Sequence, residues 1–249
     1  MLSAFSLLYW LFAVITLPIL FVVAFVIFVV TYPFDRRRIV LHLFSCAWAS
    51  FYVYMNPLWR LRVSGRNRLP WNESAVIVAN HASLVDILVL YGLYRPFKWV
   101  AKAELFRVPV VGWNMAINGY VRIVRGAPES IRIMMERCRQ LLSQGSPILI
   151  FPEGTRSPTG ELQRFKDGAF KLAFEVGCPV IPVVVEGTFD TLPKHGLMLR
   201  NSMRARVEVL EPIHPKGYAS PAELRDATHA AMAAVLARAR SSGGSSPAR

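Results

Sequence analysis

Residues Met1 to Phe34 carry no charged side chain, and Leu7 to Val30 forms a nearly unbroken apolar run of 24 residues. A helix of that length can cross or sink into a bilayer. A cleavable signal would show a basic start, a shorter apolar core and a small-residue cut site. None of these is visible, so the run reads as a retained anchor, and Pro18 in its middle predicts a kink or a break. A second uncharged run, Ile39 to Trp59, is interrupted only by His42 and carries Phe44, Trp48, Phe51, Tyr52, Tyr54 and Trp59. Such rings favour the headgroup level of a membrane. Arg36, Arg37 and Arg38 precede this run, and Arg60, Arg62, Arg66 and Arg68 follow it. If the run crossed the bilayer, one cluster would lie outside, against the positive-inside tendency. It is therefore expected to lie in the interface or re-enter, with both clusters cytoplasmic. A plain two-span hairpin is the alternative.

From about Trp71 the pattern changes. Short β-rich runs alternate with helical periodicity, and strands are expected at Ala75–Ala79, Phe97–Ala101, Tyr120–Val124, Pro147–Phe151, Val180–Glu186 and Ala205–Leu210. The runs AVIVA, ILIF and VIPVVV are apolar throughout rather than alternating, as in strands covered on both faces. Ile131, Met134, Met135, Cys138, Leu141 and Leu142 recur at helical spacing, and Gly145 ends that helix. Ser220, Pro221 and Glu223 read as the N-cap, first and third positions of a last helix. The fold expected is α/β, a mostly parallel central sheet flanked by helices, preceded by N-terminal membrane-embedded helices. The division expected is a membrane-embedded region over residues 1–62, a catalytic domain over 63–240 and a disordered tail over 241–249.

Composition narrows the class. Hydrophobic residues make up 53% and charged residues 18% of the 249, which excludes a disordered chain. Cys46, Cys138 and Cys178 lie far apart, so a disulfide framework and a thiolate zinc site are not expected. His42, His81, His195, His214 and His229 lack ligand spacing, and no metal site emerges. The net charge is +13, of which residues 35–68, with seven arginines and one aspartate, supply +6. A basic chain this apolar points to an anionic membrane surface before nucleic acid. No phosphate-binding glycine loop of the P-loop or dinucleotide type is present.

In open α/β sheets the site lies beyond the carboxyl ends of the strands, so the polar residues that follow the apolar runs carry the interest. Asn80-His81-Ala82-Ser83-Leu84-Val85-Asp86 follows one run and Pro152-Glu153-Gly154-Thr155-Arg156-Ser157 another. Five residues along a helix is a rotation of about 140°, so His81 and Asp86 would not share a helix face. They meet if His81 sits on the turn and Asp86 on the first helical turn. The carboxylate then fixes the imidazole tautomer and leaves the other nitrogen as a base. The plainer reading of these two residues alone is a histidine that caps a turn. No serine or cysteine has a nucleophile-elbow context, so the substrate is expected to supply the attacking hydroxyl. Gly154 permits close backbone approach, Arg156 offers a fork for phosphate, and Glu153 can accept hydrogen bonds from a polyol. Lys102 also leaves a strand end, while Arg122 and Arg125 flank the strand around Ile123.

These residues carry a resemblance. The chain resembles the membrane glycerophospholipid acyltransferases, most closely the bacterial 1-acylglycerol-3-phosphate acyltransferases. Asn80-His81-(four residues)-Asp86 is similar to the catalytic HX4D block, and Gly119-Tyr120-Val121-Arg122-Ile123-Val124-Arg125 resembles the acceptor-binding block. Phe151-Pro152-Glu153-Gly154-Thr155-Arg156-Ser157 matches the third block throughout, and Val180-Ile181-Pro182-Val183 resembles the fourth. Tyr120 and Arg122 depart from the second block's usual pattern, where Phe and an uncharged residue are commoner. Ala101 to Phe106 and Phe165 to Ala169 fit as well.

The resemblance implies that His81 deprotonates the free sn-2 hydroxyl of lysophosphatidate, with Asp86 bracing the imidazolium. The hydroxyl attacks an acyl-CoA or acyl-carrier-protein thioester, and the product is phosphatidate. Lys102 and Arg156 hold the acceptor phosphate, with Arg125 behind them. Glu153, Gly154 and Thr155 shape the acceptor site, and Pro182 shapes the acyl-donor side. No metal or other cofactor is implied. The expected partners are lysophosphatidate, the acyl-CoA or carrier-protein donor and an anionic membrane, with no nucleic acid. The expected location is the inner, cytoplasmic membrane, with the catalytic domain facing the cytoplasm. Three alternatives stand beside this reading. One is the same chemistry on another lysophospholipid, glycerol 3-phosphate or a lyso-ornithine lipid. The others are a hydrolase using His81 on water and a catalytically silent membrane-binding protein.

Overall fold

The computed structural model describes residues 4–192 and 202–243; His195 and residues 244–249 of the expected tail lie outside the described residues. The chain begins with helix α1, Ala4–Thr31, whose stretch Ser6–Thr31 is long and apolar enough to cross a membrane. Leu8, Leu11, Ile15, Ile19, Val22 and Val26 are exposed on it. The helix continues through Pro18 rather than breaking there. A proline removes one backbone hydrogen bond, and the apolar turns on either side keep theirs.

The second uncharged run forms helix α2, Ile39–Met55. It has 17 residues, and Leu41, His42, Cys46, Trp48, Tyr52 and Val53 on it are buried. One face packs into the domain, and the other lies along α1, where Tyr9 Oη donates to the Tyr52 carbonyl at 2.9 Å. Its aromatic residues therefore serve the protein core as well as any lipid.

Arg37 and Arg38, between α1 and α2, are likewise turned inward, while Arg36 is exposed. Arg37 donates to Ser146 Oγ at 3.2 Å, to Asn72 Oδ1 at 3.0 Å, and to the Trp71 and Gly145 carbonyls. Arg38 Nη1 donates to the Ile117 carbonyl at 2.6 Å, at the end of helix α4, Val111–Ile117. Cations at carbonyl-rich helix C-termini are favourable. This charge locks the helical entry onto the domain.

All six expected strands form, and one more precedes them: β1, Trp59–Ser64, across the expected boundary between the membrane-embedded region and the catalytic domain. The others are β2 Val76–Ala79, β3 Lys98–Lys102, β4 Val121–Ile123, β5 Ile148–Ile150, β6 Val180–Glu186 and β7 Met203–Val209. Among the described residues they form one sheet in the order β1-β7-β6-β2-β5-β3-β4. Every neighbouring pair is parallel except β6 and β7. The five strands from β6 to β4 therefore share one direction, and β1 and β7 run the other way.

Both faces are covered, as the unbroken apolar runs require. Ile77, Leu149 and Ile181 face α1, α2 and helix α3, Val85–Tyr91. Val76, Ile148, Val180 and Val184 face the helices α5 Pro128–Ser143, α6 Gly168–Val176 and α7 Pro221–Gly243. Ile77, Leu149, Ile148 and Leu142 are 0% exposed, and each such side chain contributes about 1.5–3 kcal/mol on burial. Ser220 Oγ accepts from the Glu223 amide at 3.2 Å at the start of α7, as capping predicts. That helix runs on to Gly243, into the stretch expected as tail.

Candidate active site

The carboxyl ends of β2, β5 and β6 lie side by side, and each releases a polar segment there. After Ala79 the ladder is prolonged by a side chain: Asn80 Nδ2 donates to the Val185 carbonyl and Asn80 Oδ1 accepts from the Val185 amide, both at 2.8 Å. An asparagine side chain has the same donor and acceptor as a peptide, so Asn80 fastens the turn to β6 while the backbone departs.

His81 follows, only 8% exposed. Its Nδ1 lies 2.9 Å from Asp86 Oδ2. The two meet although five residues apart because His81 precedes α3 while Asp86 is on its first turn. Asp86 Oδ2 also accepts from the Ala82 and Ser83 amides, at 2.7 and 2.8 Å, and Oδ1 accepts from Thr188 Oγ1 at 2.5 Å. Four donors thus satisfy a carboxylate that is 0% exposed. Because that carboxylate only accepts, Nδ1 of the neutral ring carries the proton and Nε2 presents its lone pair. Among the described residues Nε2 has no hydrogen-bond partner. One face of the imidazole stacks on Phe151, with ring centroids 4.0 Å apart and planes 12° apart.

The segment after β5 wraps the backbone of His81. Glu153 Oε1 accepts from the His81 amide at 2.9 Å, and the Ser157 amide donates to the His81 carbonyl at 2.7 Å. The second Glu153 oxygen accepts from Gln163 Nε2 at 2.8 Å, and the same amide reaches the Thr155 carbonyl at 3.3 Å. Burial raises the Glu153 carboxyl pKa, and the His81 and Gln163 hydrogen bonds oppose that shift. With both oxygens engaged and 5% exposure, Glu153 braces the loop. That differs from the polyol acceptor anticipated in the sequence. Gly154 has φ +73°, and a Cβ there would sit 2.8 Å from Lys166 Cε and Nζ. The bare turn is what admits the lysine, whose amide donates to the Pro152 carbonyl.

The remaining candidates are placed as follows. Arg156 is half-buried in the same loop. Lys102 ends β3 at this end of the sheet, with its ammonium 3.2 Å from Glu104. Both partners are about half exposed, and such a surface pair contributes about 0–1 kcal/mol. Arg125 is exposed two residues past the edge strand β4, and neighbouring Arg122 lies over the Phe106 ring at 4.6 Å. Pro182 is buried inside β6, paired with Val78. Its carbonyl accepts from the Leu210 amide, so it is part of the sheet rather than of the loops.

Thr188 and Gln163 are not among the residues that the sequence marks, and Lys166 stands in the Phe165–Ala169 stretch without a role assigned to it there. Thr188 follows β6 as His81 follows β2, so the strand-end rule would have found it.

A family model described as Acyltransferase matches residues 60–186, about half of the chain. The chain belongs to the acyltransferase family. This acyltransferase is 35% identical over 195 residues to a chloroplastic 1-acyl-sn-glycerol-3-phosphate acyltransferase of Arabidopsis thaliana, covering 76% of this chain and 54% of that one. It is 35% identical over 224 residues to a 1-acyl-sn-glycerol-3-phosphate acyltransferase of Chlamydomonas reinhardtii, covering 89% and 66%. With the 1-acyl-sn-glycerol-3-phosphate acyltransferase of Pseudomonas aeruginosa it shares 32% over 140 residues, covering 55% and 54%. The acyltransferase thus spans about half to two thirds of the length of the curated relatives it matches. Its fold is that of the crystal structure of the 1-acyl-sn-glycerophosphate acyltransferase of Thermotoga maritima. The TM-score is 0.75, with 24% identity over 98% of this chain and 96% of that one.

Proposed function

We propose that this acyltransferase transfers a fatty acyl group from an acyl-CoA or acyl-carrier-protein thioester to the sn-2 hydroxyl of lysophosphatidate, giving phosphatidate, and that it is of the bacterial type. The observation that carries the chemistry is the unpartnered Nε2 of an imidazole whose Nδ1 is held by a buried carboxylate. The names of the relatives support the acceptor.

In this mechanism Nε2 takes the proton from the acceptor hydroxyl as its oxygen attacks the thioester carbonyl. Asp86 stabilises the imidazolium that forms. The C–S bond then breaks, and the proton on Nε2 passes to the departing thiolate. His81 is thereby returned to its starting tautomer. Arg156 and Lys102 pair with the acceptor phosphate, supported by Arg125. Gly154 and Thr155 line the acceptor side, Glu153 holds the loop against His81, and Pro182 sets the sheet wall on the donor side. The apolar face of α1 lies in the cytoplasmic membrane, an anionic surface that supplies the acceptor and receives the product, and the sheet domain faces the cytoplasm.

The test is an acceptor panel with purified protein in detergent and labelled acyl-CoA. It compares lysophosphatidate, glycerol 3-phosphate, other lysophospholipids, a lyso-ornithine lipid and no acceptor. Phosphatidate should dominate. Faster turnover of another acceptor would overturn the substrate, and release of free fatty acid without diacyl product would overturn the reaction. Within the same assay, Arg156→Ala is expected to raise KM for lysophosphatidate about tenfold, in keeping with the loss of one charge-assisted phosphate contact. KM for acyl-CoA should change much less. An equal rise for both would remove the phosphate role.

A further inference from the structure

The site contains a hydroxyl that the reaction as written leaves without a task. Thr188 is 1% exposed, and its Oγ1 donates to Asp86 Oδ1 at 2.5 Å. It stands two residues past β6, on the far side of the carboxylate from His81. Its approach is fixed by Gly187, which has φ +75° and passes so close to β7 that a Cβ would lie 2.1 Å from the Arg204 carbonyl oxygen. The backbone of Thr188 is itself fastened, with its carbonyl accepting from the Thr191 amide at 3.0 Å. The hydroxyl is therefore presented by a constrained turn rather than by a free side chain.

We propose that Thr188 is a positioning residue for acyl transfer, acting through Asp86 on the tautomer and aim of His81; the kinetic part of this proposal rests on the function proposed above. The other three donors to Asp86 all meet Oδ2. Thr188 is the described donor on Oδ1, so it fixes the rotation of the carboxylate about its Cβ–Cγ bond. With Oδ1 held, the plane of the group keeps Oδ2 directed at Nδ1. Without it, Oδ1 is a buried acceptor lacking its partner. The carboxylate then gains by turning towards other donors, and the Nδ1–H tautomer loses its sole support. The strand β6 and the turn after it, about 100 residues from His81 in sequence, are in this way part of the base.

The experiment compares Thr188→Val, which keeps the shape and removes the hydroxyl, with Thr188→Ser, which keeps the hydroxyl. Steady-state turnover of lysophosphatidate with acyl-CoA is measured on both. For Thr188→Val, kcat is expected to fall roughly tenfold or more, as for other groups that orient a reacting side chain, with KM for both substrates within about twofold of wild type. Thr188→Ser should restore most of kcat. In parallel, ¹⁵N NMR of histidine-labelled protein reads the His81 tautomer directly, with His81→Gln giving the assignment. Wild type should show the Nδ1–H form and Thr188→Val a mixture. Should Thr188→Val fail to fold, Thr188→Cys retains the volume with a weaker donor and is expected to fall between the two. Wild-type kcat together with an unmixed tautomer in the hydroxyl-free variant would overturn the proposal, as would a serine variant no better than valine. If wild type itself leaves lysophosphatidate untouched, the function above fails, and the tautomer comparison still decides the role of Thr188.

Discussion

His81→Ala is expected to lower acyl transfer by at least about 10²-fold, the contribution of a general base, while the protein stays folded and keeps its affinity for lipid. Nε2 is the bare nitrogen at the mouth formed by β2, β5 and β6, and Nδ1 is already committed to Asp86. Truncation removes the base but leaves the surrounding contacts largely in place. Asp86 keeps the Ala82 and Ser83 amides and the Thr188 hydroxyl. The His81 backbone keeps Glu153 and Ser157, because those bonds use its amide and carbonyl. Product formation by chromatography, thermal melting and vesicle flotation read the three properties separately. Wild-type turnover in a folded variant would remove His81 from the reaction.

Asp86 should separate catalysis from stability in a way that His81 does not. In Asp86→Asn the remaining oxygen can still receive the two amides and Nδ1, while the new NH₂ group can face Thr188 Oγ1 as a donor. The fold should hold. The negative charge that stabilises the imidazolium is gone, and turnover is expected to fall by about 10²–10⁴-fold, as when an imidazole loses its carboxylate in other base-assisted acyl transfers. Asp86→Ala strands four donors in a site that is 0% exposed, at about 1–3 kcal/mol for each unsatisfied group. It should lower the melting temperature markedly as well as remove activity. Equal melting temperatures for the asparagine and alanine variants would contradict the four-donor arrangement, and near-normal turnover in Asp86→Asn would contradict the charge argument.

Much of the site could be read from the sequence because its residues sit where short apolar strands stop. Ala75–Ala79 and Pro147–Phe151 are each too apolar to be anything but covered strands, so the polar residues after them had to emerge at one sheet edge. What escaped notice followed other rules. In Trp59-Arg60-Leu61-Arg62-Val63 the strict alternation of a strand is present. The arginines read equally as a charge cluster, and the boundary expected at residue 62 falls within β1. Helix α2 is uncharged for two reasons at once, since one face is core and the other meets α1. Hydropathy cannot tell a protein interior from lipid. Gln163 and Lys166 act through a carboxylate and a bare glycine, and no local spacing announces such contacts. Glu153 was visible as a residue, but its work on the His81 amide could be seen only once β2 and β5 were paired.

The Phe151 ring against His81 has a stereochemical consequence. The Nε2 lone pair lies in the ring plane, so with one face of the imidazole covered at 4.0 Å and Nδ1 occupied, an alcohol meets Nε2 at the ring edge with the Phe151 wall on one side. For the glycerol phosphate acceptor proposed above, the two mirror images would meet that wall with different groups when their phosphate is held on the same side. In that reading the flat aromatic wall selects which enantiomer of the acceptor is acylated, and the configuration at its carbon passes unchanged into the product.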